Sequence, residues 1–413
     1  MEQTYMTAIH INKVRHIENV DILFNKDGNI INKKHLILTG KNGSGKTSLL
    51  KALVSHLEYV VSNSYTPLEK CKENVAFWEK SVSECKSDTD MDILNRQKKE
   101  KNLEYSKKQL EVWQTGAIAD LTSALSLREK YSRGEYILAY FGDDRNFEVI
   151  KSKNIEKIEL KPVYDIKTSP SKEFSKYLVN LKTKQSFAKT EGLNDKANEI
   201  KKWFDDFENI LRILYDEPSL SLSFDIDSFE FSIVIDAREP FDFNTMSKGY
   251  SAVFDIICDL ILRTETKNNR GLEGIVLIDE IETHLHVELQ KKIMPILTNL
   301  FPNIQFIITT HSPFILNSLK NAVIYDMEKQ KTFYDNFTQL PYSGIVEGFF
   351  DTKELSDELQ KKFERYKELI NKAEKTVDEK IEIKELELYL DEIPDFLALD
   401  IATEYLRLKL ESI

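Results

Sequence analysis

Gly40-Lys41-Asn42-Gly43-Ser44-Gly45-Lys46-Thr47 follows a compact apolar run and precedes a helical pattern that opens after Ser48, the context a phosphate-binding loop requires. Glycines let backbone N–H groups turn onto phosphate oxygens, and a helix N-terminus adds a favourable dipole. In such a loop Lys46 reaches the β- and γ-phosphates and Thr47 ligates Mg²⁺, so Gly40 to Ser48 is the expected nucleotide-binding segment. Ile275-Val276-Leu277-Ile278-Asp279-Glu280 reads as a buried strand ending in two carboxylates. Asp279 suits the Mg²⁺ shell, and Glu280 suits the general base that polarises an attacking water. Alone, such a pair is an ordinary strand end meeting solvent; the phosphate loop makes the catalytic reading the better one. Thr309-Thr310-His311-Ser312-Pro313 puts His311 at a strand's C-terminal end, where ligands sit in doubly wound sheets and an imidazole can sense a γ-phosphate.

These residues need elements to hold them. Ile9, Ile11, Val20, Ile22 and Phe24 at near-alternate positions predict two strands, and Leu36 to Leu38 a third, before a helix carrying Leu49, Leu50, Leu53, Val54 and Leu57. An insertion then extends to about residue 130. Its first arm carries Leu68, Cys71, Val75, Trp78, Val82 and Cys85, a coiled-coil seam; the second returns with Leu103, Leu110, Trp113 and Ala117, around a tip at Lys86 to Asp90. Tyr136 to Phe141 predicts a strand, the region around Trp203 to Leu214 a helix, and residues 220–235 a β-hairpin with one buried face. Helix at 247–263, strand at 275–278, helix at 285–300 and strand at 304–309 imply a parallel sheet covered on both faces. After residue 350, Leu355, Leu359, Phe363, Tyr366 and Ile370 mark one helical face.

The 413 residues hold 57 Lys and Arg against 69 Asp and Glu, a formal charge of -12, with 41% hydrophobic and 10% aromatic residues. That composition is globular and excludes disordered, collagen-like and disulfide-scaffold classes. Cys71, Cys85 and Cys258 are too few and too scattered for a disulfide framework or a zinc cluster, which points to a reducing compartment. No run of about 18 apolar residues and no basic, apolar leader is found, so the expected location is cytoplasmic, with no membrane partner. The acidic balance argues against a sequence-independent nucleic-acid coat. Beyond residue 350 stand 18 acidic and 11 basic residues, so the tail holds much of the excess charge.

Met246-Ser247-Lys248-Gly249-Tyr250-Ser251 lies between the phosphate loop and the Asp279-Glu280 strand. With it the chain resembles the ATP-binding-cassette (ABC) ATPases, whose signature is a Ser-x-Gly loop capping a helix. The likeness is greatest to the soluble branch that includes the overcoming-lysogenization-defect (OLD) ATPases, chromosome-structure and double-strand-break-repair ATPases, and many bacterial anti-phage ATPases. Val14-Arg15-His16-Ile17, Asp279 through His286, and Thr310 to Pro313 carry it, over roughly residues 7–60 and 135–325. The resemblance implies an α/β fold, an ABC-type P-loop head of mixed and parallel sheet flanked by helices. It implies an N-terminal lobe at 1–60 and a C-terminal lobe at 134–330; outside it, the residue pattern itself gives a helical hairpin insertion at 61–133 and an acidic helical tail at 331–413, expected to contact a partner or another copy.

ATP and Mg²⁺ are the implied cofactors. Arg15 would lie near the nucleotide, Ser247, Lys248 and Gly249 would complete the pocket of a second subunit, and Glu282 to His286 would cross the dimer interface. Two departures stand out. No glutamine loop is assigned, since Gln97, Gln109 and Gln114 fall in or beside the insertion, and Arg145 is the nearest candidate for that role. Tyr250 also replaces a usually polar signature residue.

Three functions compete. The first is an ATPase that self-associates on ATP, as a dimer or larger ring, and regulates a separately encoded effector, a nuclease in the first instance, in anti-phage defence. It is favoured because the stretch after residue 325 carries no nuclease pattern. The second is an ATP-gated DNA clamp for genome maintenance, with Lys98, Lys99, Lys101, Lys107 and Lys108 on phosphates; interleaved Lys and Glu favour a solvated coiled-coil face there, and DNA or RNA contact stays open. The third, a transporter subunit, lacks the loop where a membrane partner docks.

Overall fold

Leu36 to Leu38, Ile275 to Ile278 and Ile304 to Ile308 are apolar at consecutive positions because both faces of their strands are covered. The computed structural model describes residues 3–26, 33–85, 90–145, 147–150, 157–265, 271–334, 337–348, 357–372, 374–391 and 399–411. The chain divides into two units, Met1–Leu340 and Pro341–Ile413.

The first unit opens with β1 (Met6–Val14), β2 (Ile17–Leu23), β3 (His35–Thr39) and α1 (Lys46–Val61). The hairpin helices α2 (Leu68–Ser83) and α3 (Asp90–Gln114) follow, then β4 (Gly116–Leu121), α4 (Ala124–Ser132) and β5 (Tyr136–Phe141). Next come α5 (Phe174–Thr190), α6 (Asn194–Tyr215), β6 (Ser221–Asp225), β7 (Glu230–Val234), β8 (Phe241–Asp242) and α7 (Lys248–Glu265). The unit closes through β9 (Glu273–Ile278), α8 (Val287–Leu300), β10 (Ile304–Thr309), α9 (Pro313–Leu316), β11 (Ala322–Asp326) and β12 (Lys331–Phe333).

The main sheet has the order β12-β11-β3-β10-β9-β5. Its strands run parallel except for the β11–β12 edge pair. An antiparallel sheet β2-β1-β4 lies apart from it, and α1 joins the two: Leu49, Leu50, Leu53, Val54 and Leu57 share one apolar cluster with Ile9 and Ile11 of β1 and Leu36 and Leu38 of β3. Burying each such side chain contributes about 2 kcal/mol, which fixes the helix that begins in the phosphate loop. α7 is buried from Ser251 to Thr264 on every side, as a helix between layers must be. The fold is thus α/β with helices on a largely parallel sheet.

Several expectations change. The helical insertion expected over 61–133 is confined to α2 and α3. Residues 116–121 instead form β4, which pairs with β1 (Ile9 opposite Ala119, His10 opposite Ile118), and Ala117, expected on the second arm's seam, is buried in that strand. Gly116 has a φ of 66°, a left-handed turn that suits glycine and releases the chain from α3 into the sheet. The tail boundary also moves, from 331 to 341, because β12 extends the main sheet. Within the 220–235 hairpin, Phe231, Ile233 and Ile235 are buried, whereas Leu222 and Phe224 are only partly covered and Ile226 is exposed; β6 is the edge strand and β7 the central one. On α2, Cys71 is buried and Leu68, Val75, Trp78 and Val82 are half-buried, the pattern of a two-helix seam; Cys85, also half-buried, lies just past the helix end. The expected tip, Lys86 to Asp90, lies outside the described residues except for Asp90, as does Leu355.

The second unit contains α10 (Tyr342–Gly348), α11 (Asp357–Ile370), α12 (Val377–Asp391) and α13 (Leu399–Glu411). Phe363, Tyr366, Leu369, Ile383, Leu386, Leu390, Tyr405 and Leu408 form its core. Among the described residues no helix is long and apolar enough to cross a membrane.

Candidate nucleotide-binding site

β3 ends at Thr39, and the chain turns through Gly40 to Gly45 before α1 starts at Lys46. Gly40, Gly43 and Gly45 have φ of 133°, 83° and 99°, values that only glycine adopts without strain. No side chain caps α1 and its first turn holds no acid, so its leading N–H groups are available to an anion. Lys41, Asn42 and Gly43 are exposed at the lip, Ser44, Gly45 and Lys46 are buried, and Thr47 and Ser48 are half-buried. The Lys46 ammonium donates to the carbonyls of Gly40 (2.8 Å) and Lys41 (3.1 Å), folding back over the loop. Burial holds its pKa below the ordinary lysine range, against the attraction of Glu280, Glu282, Asp279 and Asp326. Lys46 therefore shares one electrostatic centre with the acids at the end of the strand two places from β3.

That strand is β9. Asp279 is fully buried and its Oδ1 accepts a hydrogen bond from the Thr309 hydroxyl at 2.6 Å, while Oδ2 has no partner. Glu280 is half-buried and sits at a φ of 44°. His311 follows β10, the strand beside β9. Its backbone N–H donates to Glu282 Oε1, and burial, then Lys46, push its imidazole below the usual histidine value. His311 Nε2, Glu282 Oε2 and Ser44 Oγ are likewise buried without partners. A buried polar atom left unpaired costs about 1–3 kcal/mol, so this cluster of orphans is what a site shaped for a polar ligand looks like. Thr47 and Asp279 fit the ligand set of Mg²⁺, which keeps waters and takes one or two protein oxygens beside phosphates. The free Asp279 Oδ2 supplies the acceptor.

The remaining expected residues are placed as follows. Arg15 lies exposed in the β1–β2 turn at a φ of 54°. That turn adjoins the phosphate loop: a Cβ on Gly45 would stand 3.3 Å from Ile17 Cδ1 and 3.9 Å from His16 Cε1. Ser247 and Lys248 are exposed where α7 begins, and Ser247 accepts from the Ser251 N–H at 2.9 Å. Gly249 is obligatory there, because a Cβ would meet the His284 carbonyl oxygen at 2.7 Å. The start of α7 is therefore packed directly on the loop after Glu280. Tyr250 stacks on Tyr215 with centroids 4.0 Å apart and meets the His286 ring edge-on. Of the loop expected to cross between subunits, Glu282 turns inward to His311, leaving His284 and His286 exposed. Arg145, the candidate for the glutamine-loop role, donates to main-chain carbonyls of the Asp279-Glu280 turn.

Two contributors escape sequence reasoning. Thr309 bridges both carboxylate residues, accepting from the Glu280 N–H at 2.6 Å while donating to Asp279; the only trace is a threonine at a strand's last position. Met327 and Glu328 wall the phosphate loop, standing 3.3 Å from the Cβ that Gly40 lacks, and Lys41 pairs with Glu328 at 2.8 Å. No local pattern marks them, since they depend on β11 lying next to β3. On the hairpin, Lys107 pairs with Glu79, Lys108 with Glu104, and Lys99 donates to the Ser81 carbonyl.

Over 151 residues the chain is 33% identical to Septu protein PtuA from Bacillus mycoides (strain KBAB4), a stretch covering 34% of this chain and 21% of that protein. Over 211 residues it is 27% identical to the "Retron Ec83 probable ATPase" from Escherichia coli, covering 43% of this chain and 39% of that one. The matches thus span well under half the length of these curated relatives. Superposition on the SMC head domain from Thermotoga maritima gives a TM-score of 0.34 at 10% identity, over 77% of this chain and 94% of that one, too low a score to add to the fold. From β3 through the phosphate loop, the carboxylate turn and His311 to the end of α9, residues 36–317 match the family described as "AAA domain, putative AbiEii toxin, Type IV TA system", and the chain belongs to that family of ATPase domains.

Proposed function

We propose that this chain binds MgATP between two copies of itself, hydrolyses it to ADP and phosphate, and uses that cycle to control a separately encoded effector in bacterial anti-phage defence. The observation that carries the reading is the set of partnerless buried atoms, Ser44 Oγ, Asp279 Oδ2, Glu282 Oε2 and His311 Nε2, in the loops that follow β3, β9 and β10, with Asp279, Glu282 and His311 in the field of Lys46. The loop amides and Lys46 would bind the phosphates. Thr47 and Asp279 would hold Mg²⁺, which neutralises phosphate charge when bound. Glu280 would take the proton of the attacking water, and a neutral His311 would contact the γ-phosphate.

The exposed Ser247 and Lys248 at the start of α7 suit a second copy's nucleotide, in a dimer or a larger ring built from such pairs. The toxin–antitoxin description of the family, and relatives named as a Septu protein and a retron ATPase, support the defence setting, in the cytoplasm, with a nuclease as the first effector class to test. A DNA clamp draws less support, because Lys99, Lys107 and Lys108 are engaged within the hairpin.

Light scattering of the full chain with and without MgATP tests this. ATP is expected to raise the mass of the wild type and hold Glu280→Gln in the larger form, with Lys46→Ala unresponsive. Identical mass for all three in every condition would overturn the gating reading.

A further inference from the structure

We infer that Arg145 is the positioning residue that holds the Asp279–Glu280 turn in its reactive conformation. The inference rests on the reading of Glu280 as general base and adds to it a reason why the carboxylate points where it does. Glu280 sits at a φ of 44°, a left-handed backbone that a non-glycine residue keeps only when its surroundings impose it.

Those surroundings are specific. Arg145 is 7% exposed. Its Nη1 donates to the Gly142 and Asp279 carbonyls, each at 2.5 Å, and its Nη2 donates to the Glu280 carbonyl at 2.8 Å. From the other side the Glu280 N–H donates to Thr309 Oγ1, and the Thr283 N–H donates to the Glu280 carbonyl at 2.9 Å. The Asp279 N–H is bound to the Phe141 carbonyl and the Ile281 N–H to the Thr309 carbonyl. Every backbone polar group from the Asp279 N–H to the Ile281 N–H is therefore fixed, and a single guanidinium supplies the donors for two successive carbonyls. Without it the Asp279 carbonyl would lose its donor and the Glu280 carbonyl would keep only the Thr283 N–H, and the turn could relax to an ordinary backbone that swings the Glu280 carboxylate away.

Arginine is suited to this because its planar fork presents several donors in fixed geometry; lysine is a single point on a flexible stem. The chain keeps a full cation within reach of Asp255, Glu282 and Asp279, yet its hydrogen bonds go to main-chain oxygens. That is the signature of a group that shapes a turn.

The test compares steady-state ATP hydrolysis and equilibrium ATP binding of the full chain for Arg145→Ala, Arg145→Lys and Glu280→Gln. Glu280→Gln is expected to lose about 100-fold or more in kcat. Arg145→Ala is expected to lose about 10-fold or more in kcat, with ATP affinity and KM within about threefold of wild type. Millimolar guanidinium should restore part of the Ala variant's rate, and Arg145→Lys should fall between Ala and wild type. If the Ala variant fails to fold, the Lys variant decides by the same split between kcat and KM. Unchanged kcat in the Arg145 variants alongside an inactive Glu280→Gln would overturn the inference, as would a parallel fall of affinity and kcat, which marks a nucleotide ligand. Hydrolysis surviving in Glu280→Gln would sink the underlying base reading instead.

Discussion

In the Met1–Leu340 unit Lys46, Arg145, Asp255, Asp259, Arg263 and Asp279 are all buried, whereas among the described residues of 341–413 no charged side chain is buried. The second unit makes its ion pairs at the surface, as between Arg365 and Glu382 or Lys409 and Asp391, around a core of aliphatic and tyrosine side chains. Removing charge from water costs several kcal/mol per ion unless hydrogen bonds and partners repay it. A unit whose core only joins α11, α12 and α13 can avoid that cost. The first unit accepts it along the C-terminal ends of its parallel strands and on α7, and there it also keeps strained backbone and partnerless polar atoms. Strain and unsatisfied polarity persist where binding or catalysis compensates; the second unit has one such atom, Gln360 Oε1, whereas Asp279 Oδ2, Glu282 Oε2 and His311 Nε2 are gathered around Lys46.

The largest stability effect that would sharpen the contrast is at Arg263. Its Nε pairs with Asp259 Oδ1 at 2.6 Å, and the guanidinium also donates to the carbonyls of Leu138, Tyr164 and Thr168. Arg263→Met leaves Asp259 as a buried acid without its counterion and several carbonyls without donors, and should cost about 3–5 kcal/mol. Urea unfolding measures it. A loss below about 1 kcal/mol would mean that buried charge in this unit is no more consequential than the surface pairs of the other.

A smaller effect appears on acidification. His56 is buried in α1 against Trp113, and burial pushes its pKa down to about 4. Between about pH 6.5 and 4 the unfolded chain therefore binds more protons than the folded one, so stability is full above 6.5 and is lost as pH falls toward 4. The loss attributable to His56 is roughly 3 kcal/mol. His35, pushed down to about 3 by burial, adds to the wild-type slope in the same direction. Unfolding curves of His56→Leu across that window should therefore be flatter than wild type but not flat. Parallel curves for both proteins would show that His56 is not held neutral.

The same contrast explains how much was legible in the sequence. The phosphate loop, the Asp279-Glu280 strand end and His311 could be read because each joins a run of local pattern to a chemically loaded terminus, and the parallel sheet followed from apolar runs alternating with helical stretches. What was hidden depends on neighbours distant in sequence. β4 is a short strand of Gly, Ala, Ile, Asp and Leu whose only reason to be extended is its pairing with β1, more than a hundred residues earlier. Arg145 was visible only as a vague substitute for a missing glutamine, because its partners include main-chain oxygens of the turn that follows β9. Asp259 and Arg263 did leave a trace, charges four residues apart inside an otherwise apolar helix, which is the spacing of a pair made within the helix. Their carbonyl partners could be known only from the fold.

The smallest expected effect completes the comparison. Arg365 on α11 faces Glu382 on α12 through two hydrogen bonds, Nε to Oε1 at 2.8 Å and Nη2 to Oε2 at 3.0 Å, with Glu368 also near. On geometry alone this fork is as good as the Arg263 pair. Its surroundings differ: both side chains are more than a third exposed, so water already solvates the separated charges, salt screens their attraction, and ordering two long side chains offsets what remains. Tyr366 and Leu386 bury the apolar contact between the same two helices without help from the pair. Arg365→Ala is therefore expected to leave amide-exchange protection in α11 and α12 unchanged at both low and high salt. Protection lost throughout those helices would show that the second unit also depends on ion pairing, and the division drawn between the two units would fail.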